Sequence, residues 1–320
     1  MVPDTLAVLR GAGDLERLLR AGFTAVRELG SKGGVHLAQA VEEGAFDGPD
    51  VVSCSRALSQ TGGDDDPRFL PIETAQGLAS YTYFCDGPWD CRRAVRKVAR
   101  DGGKVVKLYA SGGFTREGKV RRSFTKDELE SMVDEAHAAG LKVAAHASGE
   151  EALENVVRAG VDSIEHGAGL TSEIAKEVAA KGIYYVPTLV TYDAIMRRDL
   201  APHIAPHIRR HLTEDMEIAK EHRLAIVSGS DIVGDAERPH GRNYEEIVAI
   251  ARTTGNEEAV VSATSRAARC LDLPQSGRLG DGFRADVTIV KGNPLKDIQS
   301  LAPESVQYVI KAGRLVFSRP

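Results

Sequence analysis

The chain has 320 residues, 42% of them hydrophobic, and 41 basic against 46 acidic residues give a formal charge of -5. This is enough chain for one large core, since roughly 250 residues is an ordinary size for a single α/β barrel. No long run of either charge sign and no apolar stretch of spanning length occur, so neither nucleic acid nor a membrane is expected as a partner. The four cysteines, Cys54, Cys85, Cys91 and Cys270, lack metal-finger spacing. Free thiols in a reducing cytoplasm are therefore expected, with no bridge between Cys85 and Cys91.

In chain order, short β-prone runs alternate with helical patterns. Strands are expected at 24–29, 50–58, 105–110, 142–146, 162–165, 184–190 and 225–228. Between them lie helices such as DLERLLRAG, PWDCRRAVRKVARDGG, TKDELESMVDEAHAAG, GEEALENVVRAG and SEIAKEVAAKG, several closing on a glycine as a left-handed C-terminal cap requires. Strands joined by crossover helices demand a mainly parallel sheet, and polar residues at strand ends point to a (β/α)₈ barrel. Only seven such strands are read, and the first clear element, DLERLLRAG, is a helix, so the barrel is expected to lack its opening strand. From Gly277 the pattern changes to short β segments with glycine turns, including a hairpin at KAGRLV. The expected division is a barrel over 1–276 and a small β segment over 277–320.

Four residues end the apolar runs: Lys107 in VVKLYASGG, His146 in KVAAHASGEE, His166 in DSIEHG and Asp231 in AIVSGSD. At the C-terminal mouth of parallel strands such a set reads as a metal centre. Each alone has a plainer reading, as a hydrogen-bonded core histidine or an ion-paired lysine. Tyr109 lies two residues beyond Lys107 and so on the same side of its strand. His203, His207 and His211 are spaced to share a helix face, but Pro206 interrupts it, and Asp64 to Asp66 read as a solvated loop. The aromatic group Tyr81, Tyr83, Phe84 and Trp89 falls in the long loop after the third strand segment, as a pocket wall or as packing.

GFTAVRELG, RALSQTGG, VKLYASGG, AAHASGEEAL, AGVDSIEHG, PTLVTYDAI, GSD with the following HGRN, and GRLGDGFRADVTIVKGNPLKDI together resemble the metal-dependent amidohydrolase superfamily, within its imidazolonepropionase-like, Xaa-Pro dipeptidase-like branch. The resemblance runs in order from about Leu15 to the end. It implies a carbamylated Lys107 bridging divalent ions, His146 and His166 as imidazole ligands, and Asp231 as both ligand and proton shuttle. One or two ions are implied, zinc first, with manganese or cobalt as alternatives. Tyr192, His240 and Arg242 are implied on the substrate side, and Arg242 suits a carboxylate; Tyr109, by its strand position alone, is expected on that side too, to stabilise a developing oxyanion or only to shape the pocket.

Three departures accompany the matches. The family's first strand ends in a His-x-His pair, which this chain does not contain; Asp64 stands where relatives usually have histidine, and Ser148 where HAHG has its second. The implied activity is hydrolysis of an amide-like C–N bond, in a dipeptide or N-acyl amino acid, or of an ester or lactone, by metal-activated water. The alternative is an inactive or impaired shortened barrel serving in binding or assembly. A small-molecule substrate is expected either way for an active chain, and unpaired edges make a homo-oligomer the expected state.

Overall fold

The computed structural model describes residues 3–31, 33–64, 66–78, 81–114, 119–199, 202–234 and 239–320. The strands, in chain order, are β1 (Ala25–Glu28), β2 (Asp50–Ser53), β3 (Ala57–Ser59), β4 (Thr82–Phe84), β5 (Val105–Tyr109), β6 (Ser111–Phe114), β7 (Val120–Arg122), β8 (Lys142–Ala147), β9 (Ser163–His166), β10 (Tyr184–Val186), β11 (Ala225–Ile226), β12 (Val287–Val290), β13 (Val306–Lys311) and β14 (Arg314–Ser318). Seven of them make one parallel sheet in the order β11-β10-β9-β8-β5-β3-β4, and β1 pairs in parallel with β2. The fold is α/β with a mostly parallel sheet, and each expected strand is present at least in part.

Three differences from the sequence reading have local causes. The expected strand 50–58 is split into β2 and β3 at Ser55, whose φ of 62° lies in the left-handed region. The ladder continues past the break, because the Cys54 amide donates to the Glu28 carbonyl and the Lys104 amide to that of Ser53. Strand 184–190 stops at Val186, since Leu189 already opens a helix. Thr82, Tyr83 and Phe84, expected in a loop, form β4, and the Ala57 amide donates to the Tyr81 carbonyl beside it.

Helices cover the sheet with the apolar faces their sequences carry. Helix Pro88–Arg100 buries Cys91, Ala94, Val95 and Val98, and helix Lys126–Ala138 buries Leu129, Met132, Val133 and Ala136 in the same core. The second begins at a capping box in which Glu128 reaches back to the Thr125 amide at 2.7 Å. Left-handed glycines end two helices, Gly160 at φ 84° and Gly182 at φ 67°. The first helix is longer than DLERLLRAG suggests, running Asp4–Arg20 through Gly11 and Gly13.

The last three strands form an antiparallel sheet in the order β12-β13-β14. Val306 and Val309 of β13 pack on Leu19 of the first helix. Lys311 ties β13 to Asp50 of β2 at 2.7 Å, and Arg284 pairs with the same carboxylate. The four cysteines are free thiols and buried. No helix among the described residues is long and apolar enough to cross a membrane.

The two parallel sheets are joined through side chains: Arg27 of β1 reaches Ser163 and Glu165 of β9, in the seven-stranded sheet, at 3.0 and 2.6 Å.

Candidate metal centre

Strand register gathers the first members of the site. Lys107 stands opposite Ala144, Tyr109 opposite His146, and His146 opposite Glu165. Side chains in one row of a parallel sheet point the same way, and residues two apart on a strand share a face. Lys107, Tyr109, His146 and Glu165 therefore all face the interior, where Lys107 Nζ lies 5.4 Å from the centre of the Tyr109 ring.

His166 directly follows Glu165, so regular alternation would send it to the opposite face. Its φ of 70° turns it back instead. The imidazoles of His146 and His166 then meet edge to face, with centroids 4.5 Å apart. A non-glycine residue held there costs on the order of 1–3 kcal/mol, which the surrounding contacts must offset. Thr188, at φ 52°, is one such contact, with its hydroxyl 2.8 Å from His166 Nδ1.

Burial dominates the electrostatics. It lowers the pKa of the His146 imidazole to about 3, with Lys107 adding to the effect. His166 is pushed well below the ordinary histidine value by burial and then by the neighbouring His146. The Lys107 ammonium is also destabilised by burial, against the opposing pull of Glu165 and Asp231. Two neutral imidazoles and a lysine driven toward its neutral amine are the protonation states that cation binding and carbamate formation require. His146 Nε2 is buried and meets no hydrogen-bond partner among the described residues. A borderline divalent ion fits that orphaned nitrogen and its imidazole neighbour.

Other expected residues lie at graded distances from this pair. Tyr192 is buried, its ring centre 5.9 Å from that of His166. Burial raises its phenol to about 12. Asp231 is solvent-exposed at φ 51°, and Thr191 holds its carbonyl and that of Ser230 at 2.9 Å each. Among the described residues, no group of three His, Cys, Asp or Glu side chains is gathered closely enough to hold an ion. Lys107, His146 and His166 converge, and the Asp231 charge acts on both Lys107 and Tyr192. His240 is half-buried, lowered in pKa by burial against the pull of Asp14. Arg242 is exposed, with Nε 2.7 Å from Glu245.

Several site residues were not read from the sequence. Glu165 pairs with Arg27 beside Lys107, Glu246 and Asp215 are fully buried carboxylates, and His211, singled out in the sequence only by its spacing, donates its Nε2–H to the Pro187 carbonyl, 2.8 Å away. Strand alternation from His166 would have aimed Glu165 away from the site, and only its register opposite His146 shows that it faces inward. Of the three spaced histidines, only His211 is fully buried, on a π-helical turn spanning His211–Asp215. The acidic run includes Asp64, whose carbonyl accepts from Ser59 at 2.6 Å; Asp65 lies outside the described residues.

These features define an α/β protein with a paired-histidine and lysine centre at the ends of parallel strands. The profile of the amidohydrolase family matches residues 1–316, and the chain belongs to that family. It is 31% identical to ochratoxinase of Aspergillus niger over 93% of this chain, and it spans 66% of that relative's length. A solved prolidase complexed with N-methylphosphonate-L-proline superposes with a TM-score of 0.90 at 34% identity, covering 99% of this chain and 81% of that one. A Xaa-Pro dipeptidase with methionine bound in its active site superposes with a TM-score of 0.88 at 28% identity, over 100% of this chain and 81% of that one. The chain therefore falls in the Xaa-Pro dipeptidase-like branch of that family.

Proposed function

We propose that the chain is a metal-dependent hydrolase of an amide-like C–N bond, in a dipeptide or N-acyl amino acid, with esters or lactones as further substrates. The observation that carries this reading is the His146 and His166 pair, two neutral imidazoles 4.5 Å apart with His146 Nε2 unpartnered among the described residues. The named activities of the prolidase and ochratoxinase relatives support the same class.

In this reading the parallel strands belong to a (β/α)₈ barrel over 1–276, and 277–320 is part of a small β-sandwich. His146, His166, Asp231 and carbamylated Lys107 would hold one or two ions, zinc in the first place and manganese or cobalt otherwise. A bound divalent ion supplies Lewis-acid polarisation of the substrate carbonyl and a water of lowered pKa. Asp231, exposed at the strand end, takes the proton from the attacking water and delivers it to the leaving nitrogen. Tyr192, whose phenol keeps its proton at neutral pH, donates to the oxygen on which charge develops. Tyr109 walls the pocket beside Lys107. His240 and Arg242 face the substrate's far end, with Arg242 exchanging Glu245 for a substrate carboxylate.

The test is hydrolysis of a panel of Xaa-Pro dipeptides, N-acyl amino acids and esters by the zinc-loaded chain, with His146→Ala as control. Turnover lost in the variant supports the reading, and a panel without turnover counts against it. The alternative reading is a non-catalytic protein used for binding or assembly. It requires less than one equivalent of zinc, with His146→Ala indistinguishable from the parent protein.

A further inference from the structure

Thr188 is a threonine diverted from its usual task. It stands at the N-cap of helix Leu189–Arg197, where a threonine hydroxyl ordinarily accepts from the first-turn amides, but it makes no side-chain cap bond there. Its hydroxyl is turned instead onto His166 Nδ1 at 2.8 Å. The capping is done from a distance, by Glu246 on helix Tyr244–Thr254, whose two carboxylate oxygens accept from the Leu189 and Val190 amides at 2.9 Å each. A carboxylate is well placed there, because the first amides of a helix lack acceptors within it and its dipole favours negative charge.

The preceding residue is held as well. The Pro187 carbonyl is 2.8 Å from His211 Nε2, and His211 Nδ1 is 3.3 Å from Asp215, whose carboxylate also accepts from the Gly169 amide at 2.8 Å. Glu246, His211 and Asp215 are all fully buried. Residues 187–190 are thus fixed on both sides of Thr188, and Thr188 is held at φ 52° between the two anchors.

We propose that Glu246 and His211 are positioning residues that clamp residues 187–190, so that the Thr188 hydroxyl accepts the Nδ1 proton of His166 and leaves His166 Nε2 bare. The inference rests on the reading of His166 as an ion-holding residue and specifies how the fold selects its tautomer. A histidine that holds an ion through one nitrogen ordinarily has its other N–H engaged in this way, and loss of such a partner lowers affinity by about 10- to 100-fold.

The experiment is nitrogen NMR of the His166 ring in the metal-free full-length chain, paired with zinc titration, for the parent, Thr188→Val, Thr188→Ser and Glu246→Ala. Thermal melting checks folding. The parent and Thr188→Ser should show the proton on Nδ1, whereas Thr188→Val and Glu246→Ala should populate the other tautomer and bind zinc about tenfold or more weakly. A purely structural role would lower melting temperatures and leave the tautomer unchanged. Nε2–H in the parent, an unchanged ring in Thr188→Val, or an unchanged ring in Glu246→Ala overturns the clamp, and Glu246→Gln, which keeps one acceptor oxygen, replaces Glu246→Ala where that variant does not fold. An Nδ1–H ring in a parent that binds no zinc upholds the clamp while removing the metal-dependent function.

Discussion

Arg27 of β1 and Glu165 of β9 form an ion pair at 2.6 Å, with side chains 10% and 4% exposed, that joins the two parallel sheets. The pair joins strands that are not neighbours in the ladder and lies beside Lys107, whose ammonium feels both charges. Breaking one partner leaves the other charge buried and uncompensated.

Arg27→Met should accordingly cost about 3–5 kcal/mol of folding stability, the usual range for orphaning a buried charge. Replacing both members with apolar residues of similar volume should recover most of the loss. Urea denaturation of the two single variants and the double variant measures this directly. Additive losses would mean that the pair is not coupled as the structure shows.

The depressed histidine sets a pH dependence for the metal-free protein. His146 has a folded value of about 3, against about 6.5 for an ordinary histidine. Between these values the unfolded chain holds the proton and the folded chain does not, so stability is fully present above about 6.5 and falls as pH drops toward 3. The slope from His146 alone is up to about 1.4 kcal/mol per pH unit. Urea denaturation between pH 4 and 7 with chelator present should show a shallower dependence in His146→Gln than in the parent, and identical slopes would contradict the burial argument.

Tyr192 is assigned to the developing oxyanion, so Tyr192→Phe should lower kcat by about a hundredfold with little change in KM. A rise in KM at constant kcat would place the phenol in substrate binding instead.

Much of the sheet was legible because parallel strands buried on both faces advertise themselves as apolar runs, as Val105 to Tyr109 and Lys142 to Ala147 do. Thr82 to Phe84 escaped because three residues between loops carry no periodicity to read. The metal-binding candidates Lys107, His146 and His166 were legible as polar ends of such runs. Their supports were not, because Glu246 acts 57 residues away from Leu189 along the chain, and nothing near either residue signals the contact. His166 itself breaks the strand rule that would have aimed it outward, and only its left-handed backbone shows why it faces His146. Arg242 followed from the HGRN motif, yet its bond to Glu245 depends on the turn that opens helix Tyr244–Thr254.

The most direct test of the central claim is metal content, by elemental analysis of the purified chain and its His146→Ala and Lys107→Ala variants after growth with zinc and bicarbonate. The account predicts at least about one equivalent of zinc in the parent chain, lost in His146→Ala and reduced in Lys107→Ala. A metal-free parent protein under zinc saturation, or equal metal in all three proteins, would contradict it.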